Sequence, residues 1–184
     1  ALDFSAKAVE IGGLESGKVY NLKNVGSGKY LNVYGGYDAN GQNVIQWTKD
    51  GSVEQNFKLL YNSSADSYKF YAMCSSNGTN RVIDVARSSG SLVSGCNVDL
   101  WTPDDNDAQY WKIVYNGAGT YKIVLKYNTA CALTAVGDSN GTASGKSSTS
   151  PGNVYLGSYT GSNYQLWTFE EVSPSRSIAD GTYY

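Results

Sequence analysis

The sequence predicts an all-β fold built from three repeats, and three observations predict it. A Gln stands two residues before a bulky aromatic three times, as Gln55-Asn56-Phe57, Gln109-Tyr110-Trp111 and Gln165-Leu166-Trp167. These Gln positions are 54 and 56 residues apart, so one unit is written three times, and each copy must bury its apolar face against the others. Each copy also opens alike, with Tyr20-Asn-Leu-Lys-Asn, Tyr68-Lys-Phe-Tyr-Ala and Tyr121-Lys-Ile-Val-Leu. The third observation is composition. The 184 residues include 21 Gly and 16 Tyr, with abundant Ser, Asn and Thr and no His. Tyr and Thr suit pleated strands, while Gly and Asn suit turns that need positive φ.

The elements follow in order. Residues 1–13 carry no repeat pattern and read as a leading arm or linker. Repeat one, about 14–61, has strand-like runs at 18–24, 29–34, 43–48 and 56–60. Gly26-Ser27-Gly28, Gly35-Gly36, Asn40-Gly41 and Asp50-Gly51 separate them as turns. Repeat two, about 62–115, places strands near 68–74, 81–86, 97–102 and 110–114. Repeat three, about 116–172, places them near 120–126, 130–135, 153–158 and 165–170, with its middle stretched by a Ser/Gly/Thr-rich run, 137–152, that reads as a long exposed loop. No helical period is sustained anywhere. Four strands in each of three repeats give the twelve of a β-trefoil, in which six form a short closed barrel and six cap it as hairpins. Residues 173–184 read as a linker and the possible start of a further module, because Ile178-Ala-Asp-Gly-Thr-Tyr-Tyr184 matches Leu14-Glu-Ser-Gly-Lys-Val-Tyr20 in register.

Charge and cysteine content bound the function. A net charge of −2 argues against nucleic acid or an anionic membrane surface as the main partner. No apolar stretch approaches the roughly 20 residues of a membrane helix. Cys74, Cys96 and Cys131 are odd in number; a Cys74–Cys96 bridge within one repeat and three small buried thiols are the two readings. Without His there is no Ser-His-Asp or Cys-His machinery, Cys131 has no visible base, and scattered single acids do not form the facing pair of a glycosidase. The chain is therefore expected not to be an enzyme and to need no cofactor. The run Asp104-Asp105-Asn106-Asp107 lacks the spaced ligands and distal acid of a calcium loop and reads as a solvated turn, so no metal site is assigned.

The candidate chemistry lies in aligned positions of the repeats. Repeat two offers Asp84 in its second strand, Asp99 and Trp101 in its third, and Asp107 and Gln109 at its close. Repeat one offers Asn32, Trp47, Glu54 and Gln55 there, with Gln46 as a supplement. Repeat three aligns Gly152 with Gly41 and Gly95 and has Thr134 and Gly157 at the acid and aromatic positions, leaving Tyr155 or Tyr159 to stack. A pyranose presents an apolar C–H face and a rim of hydroxyls. A carboxylate accepts charge-assisted hydrogen bonds from adjacent hydroxyls, and a Trp plate covers the apolar face. Asn32 offers only one acceptor and a donor, giving weaker uncharged bonds.

Over about residues 14–172 this arrangement resembles the ricin-B-type (R-type) lectin and carbohydrate-binding family, particularly its bacterial members appended to secreted enzymes. The resemblance implies one shallow sugar site per repeat. In each, a second-strand acid (Asp84) bonds vicinal hydroxyls and a third-strand aromatic (Trp101, Trp47) stacks on the ring, while polar groups near the closing Gln complete the bonds. It implies that the aromatics of the Gln-x-aromatic signature, Phe57, Trp111 and Trp167, belong to the core. Non-catalytic binding of galactose-, xylose- or mannose-containing glycans follows as the expectation, within a larger secreted chain. The alternative is a protein-binding trefoil, an inhibitor or adhesion module, that uses the 137–152 loop.

Overall fold

The computed structural model describes residues 13–173. The leading arm expected over 1–13, all but its last residue, and the expected tail module lie outside the described residues. Twelve strands form in chain order: β1 Val19–Asn24, β2 Tyr30–Val33, β3 Val44–Trp47, β4 Phe57–Asn62, β5 Ser67–Ala72, β6 Val82–Val85, β7 Val98–Trp101, β8 Trp111–Gly117, β9 Thr120–Leu125, β10 Asn128–Ala135, β11 Val154–Ser158 and β12 Trp167–Glu171. The first and fourth strands of each repeat pair around a closed antiparallel ring, β1–β4–β5–β8–β9–β12 and back to β1. The remaining strands form three hairpins, β2–β3, β6–β7 and β10–β11. Closure leaves the barrel no free edge. This is the β-trefoil that the repeats predict.

Period-two alternation decides which side of each hairpin is buried. In β6–β7, Ile83, Val85, Val98 and Leu100 enter the core, so Asp84, Asp99 and Trp101 share the outer face. Phe57, Trp111 and Trp167 have no exposed surface and fill equivalent places in the three repeats. The indole N–H groups donate to hairpin carbonyls, Trp111 to Ile83 at 3.4 Å and Trp167 to Leu133 at 3.0 Å. Buried indoles are thereby satisfied while they tie hairpins to the barrel. The Gln before each aromatic lies on a turn of 3-10 helix, Val53–Gln55, Asp107–Gln109 or Asn163–Gln165, rather than at the start of the last strand as expected for Gln165.

The hairpins interlock cyclically. The Gly41 N–H donates to Leu100 O at 2.8 Å, Gly95 N–H to Leu156 O at 2.8 Å, and Gly141 N–H to Gln46 O at 3.1 Å. Each repeat thus hands one bond to the next, and the third closes on the first. This corrects the expected register of repeat three. Gly141, not Gly152, matches Gly41 and Gly95, and Gly152 takes the place of Gln42 and Cys96, whose carbonyls accept the return bonds. The inserted residues are therefore 142–151. Where the insertion closes, Gly152 has φ +78°, and a Cβ there would lie 2.2 Å from the Gly141 nitrogen, so the junction requires glycine.

The expected long exposed loop is mostly exposed but firmly tied to repeat one. The Asn43 amide donates to Thr142 O and Gly145 O, and the Gln46 amide to Gly137 O and Ser139 O. At the pseudo-threefold axis three side-chain amides close a ring. Asn97 donates to Asn43 at 2.9 Å, Asn43 to Asn153 at 3.1 Å, and Asn153 to Asn97 at 2.9 Å. The cysteines are free: Cys96 and Cys131 are buried in the core, Cys74 is half-buried, and the Cys74–Cys96 bridge is not formed.

Candidate functional site

Each hairpin's outer face and the 3-10 turn behind it enclose a shallow pocket. In repeat two it is lined by Asp84, Asp99 and Trp101 from the hairpin, by Arg87 just beyond it, and by Asn106 and Ala108 from the turn, with a volume near 280 Å³. Asp84 and Asp99 are cross-strand partners, each 7% exposed, and Val82 pairs with Trp101 two residues along. Trp101 is 43% exposed, so an indole face stands open beside two buried carboxyls.

The hydrogen bonds assign a role to each polar group. Gln109 Nε2 donates to Asp84 Oδ2 at 3.0 Å and to Thr102 O at 2.9 Å, while its Oε1 accepts from the Asp104 N–H at 2.9 Å. Gln109 is fully engaged and orients Asp84 rather than lining the pocket. Asp107 is ion-paired with Arg87 and does not line it either. Arg87 also donates to Asn106 Oδ1 at 2.7 Å and to Gly90 O at 3.3 Å. Of the acidic run, Asp104 accepts from the Asn106 N–H and Asn106 from the Ala108 N–H, which is turn capping. Among the described residues no group of three or more His, Cys, Asp or Glu is placed to hold a metal ion.

Burial shifts both carboxyls. Desolvation pushes Asp84 up to about 6, and the Gln109 bond pulls the other way. Asp99 is pushed up to about 7, chiefly by burial and then by the neighbouring Asp84 charge, against the pull of Lys146. Asp99 Oδ1 is buried with no hydrogen-bond partner.

Repeat one builds the same shape from other groups. Its pocket, also near 280 Å³, is lined by Asn32, Tyr34, Ile45, Trp47, Asp50, Ser52 and Glu54, with Gly35 at the rim. Asn32 and Ile45 are the cross-strand pair where repeat two has two acids. The Asn32 amide donates to Val33 O at 2.9 Å, leaving its oxygen as the acceptor. Gln55 holds Thr48 O and the Asp50 N–H, as Gln109 does in repeat two. Gln46, expected to supplement this pocket, is buried and faces the inserted loop.

Repeat three keeps a pocket, near 320 Å³ and lined by Thr134, Tyr155, Ser158, Thr160, Tyr164 and Gln165 among others, but with no Trp plate and no acid. A Cβ on Gly157 would meet Tyr155 ring atoms at 3.1–3.2 Å and Thr134 Oγ1 at 2.7 Å, so the phenol already covers the ground where Trp101 and Trp47 stand elsewhere. Thr134 donates to Ala132 O and accepts from Gln165. Tyr159 packs its ring against Lys122 at 4.5 Å.

Sequence reasoning missed Tyr34, Asp50, Ser52, Arg87 and Asn106. Tyr34 was within reach, since the period-two parity that puts Tyr30 and Asn32 on the outer face puts residue 34 there too. Arg87 follows the last strand residue, where no periodicity applies.

The described family that matches the chain is the ricin-type beta-trefoil lectin domain-like family, over residues 8–91 and 75–147. No curated protein matches. Among solved structures, the designed threefold-symmetric protein ThreeFoil is similar at 30% identity and TM-score 0.68, covering 84% of this chain and 99% of that one. An exo-β-1,3-galactanase from Clostridium thermocellum, 1,3Gal43A, is similar at 26% identity and TM-score 0.70; the match covers 84% of this chain but 30% of the galactanase. The Macrolepiota procera ricin B-like lectin, solved with lactose, shares the fold at 18% identity and TM-score 0.61, covering 85% of this chain and 97% of the lectin.

Proposed function

The chain belongs to the ricin-type β-trefoil lectin-like family, and on that premise we propose that it binds carbohydrate without catalysis, mainly through the repeat-two pocket. The observation that carries the proposal is an open indole, Trp101, beside two acids held at one hairpin face. A pyranose stacks its C–H face on Trp101 while its hydroxyls reach Asp84 and Asp99. Gln109 is a positioning residue for Asp84. Repeat one is the second site, with Trp47 as the plate, Asn32 as the acceptor and Glu54 at the rim. Galactose-, xylose- and mannose-containing glycans are the ligand classes to test; the lactose bound to the Macrolepiota lectin supports including galactosides.

Single shallow sites of this type bind at about 0.1–1 mM, so retention on a polymer comes from two sites engaging it together. That economy suits a targeting module in a larger secreted bacterial protein, a setting supported by the galactanase, of which the matched region is a minor part. The test is a panel of glycans and insoluble polysaccharides, run with wild type, Asp84→Ala and Trp101→Ala, each checked for folding. Binding that either variant loses upholds the proposal. Glycan binding that both leave intact removes repeat two from it, and no glycan binding at all overturns it in favour of a protein partner.

A further inference from the structure

Repeats one and two share shape, volume and aromatic plate, yet differ in charge. The difference is one cross-strand pair, Asn32–Ile45 against Asp84–Asp99. We infer that the repeat-two pocket selects a pyranose bearing a protonated amine over its neutral counterpart, the ammonium seated between Asp84 and Asp99 and the ring on Trp101. The inference rests on the carbohydrate-binding reading and deepens it by naming the sugar class.

Two carboxylates on neighbouring strands, both nine-tenths buried, repel each other and have lost most of their water. Among the described residues no cation pairs with either carboxyl, and the charges of Arg87 and Lys146 relieve them only in part. Arg87 is committed to Asp107, Asn106 and the Gly90 carbonyl. Lys146, reaching over from the inserted loop, donates to Gly41 O at 3.1 Å and stays in solvent. Asp104 is acidic and raises Asp84 further, ahead of the smaller opposing effect of Arg87. One oxygen of the pair, Asp99 Oδ1, is buried without a partner, while the rest of that carboxyl lines the pocket. A neutral hydroxyl supplies hydrogen bonds but no compensating charge. An ammonium supplies three donors and the charge together. A divalent metal fits less well, since there is no third acid to complete its shell. Repeat one has no such pair on its hairpin face, its acids Asp50 and Glu54 coming from the turn instead, and it serves as the site of comparison.

The experiment pairs the methyl glycosides of glucosamine, galactosamine and mannosamine with those of glucose, galactose and mannose. Each is titrated against wild type, Trp47→Ala to silence repeat one, and Trp47→Ala combined with Asp99→Asn or with Asp99→Ile, the residue at position 45. Near-ultraviolet circular dichroism checks the fold of each variant, and the two Asp99 substitutions guard against one that does not fold. At pH 6.5 at least one amino sugar should bind about tenfold more tightly than its neutral twin, the ratio that one charge-assisted hydrogen bond supports. The preference should fall to parity in both Asp99 variants. It should also vanish at pH 4.5, where the amine keeps its proton and the acids gain theirs. Neutral glycosides bound as tightly as amino ones, or a preference that survives loss of Asp99, overturn this inference alone. Failure of every glycoside to bind overturns the carbohydrate reading with it.

Discussion

Repeats one and two of this trefoil were cut to one pattern and then finished differently. Each sets a Trp at the end of its third strand, a polar residue (Asn32 or Asp84) on the same face of its second, and a Gln behind that fixes the turn. In repeat one the cross-strand pair, Asn32–Ile45, carries no charge and costs the fold little. In repeat two the same two positions hold acids whose burial works against folding at neutral pH. Stability is therefore sacrificed in one pocket and not in its twin, which is what a site under selection for a ligand looks like. Repeat three marks the other limit, where Tyr155 lies against Gly157 and the pocket has neither a Trp plate nor an acid.

The comparison can be broken most directly at the plates. Trp101→Ala should cost repeat-two binding about 2–3 kcal/mol, roughly 30- to 150-fold, while leaving thermal stability nearly unchanged because the ring is already open to solvent. A titration of this variant that still shows two equivalent sites would end the assignment.

The cost of the acid pair is measurable without any ligand. Folded Asp84 and Asp99 hold protons up to about 6 and 7, whereas unfolded carboxyls release theirs near 4. Between those values folding takes up protons, so stability falls as pH rises, the reverse of the usual salt-bridged acid. Asp99→Asn should therefore raise stability by on the order of 4 kcal/mol at pH 7.5, at about 1.4 kcal/mol for each of the roughly three pKa units between its unfolded and folded carboxyl, and by far less at pH 4.5. Denaturant melts at the two pH values check this, and an equal effect at both would show that the pair is not the cause.

A smaller effect comes from charge at the acceptor alone. Asp84→Asn copies the residue of repeat one and should weaken repeat-two binding about tenfold while keeping the Gln109 contact through the amide oxygen. Calorimetry on the Trp47→Ala background reads it without interference from repeat one. The smallest change is Lys146→Ala, which removes the one cation that lowers Asp99 and should move the pH midpoint of binding upward by a few tenths of a unit. A downward movement would place Lys146 elsewhere.

The fold was legible because the signals that specify it are local and repeated. The Gln-x-aromatic triplet, the Tyr-led openings and the alternation of β2, β6 and β10 all act through neighbours in sequence. The site was legible in part. Strand parity brings Asp84, Asp99 and Trp101 to one face, but whether Gln109 orients Asp84 or reaches a ligand, both open in the sequence, depends on the Thr102 and Asp104 backbone, which no pattern encodes. Asp107 carries the charge expected of a site residue and is removed from it by Arg87, a pairing across the turn. The register of repeat three failed for a related reason. Gly141 and Gly152 look alike as letters, and only the bond from Gly141 to Gln46 shows which one keeps the place of Gly41.

The closed ring of strands has a consequence for how this chain comes into being. β1 is made before every other described strand, and its barrel partner β12 after them all. The cyclic handoff of hairpin bonds likewise remains open until Gly141 reaches Gln46. Two finished repeats on a ribosome therefore hold an unclosed barrel with bare strand edges, and cooperative closure must wait for the third. A chain of this topology folds late and all at once, and its dangerous interval for aggregation lies before its final strand is free.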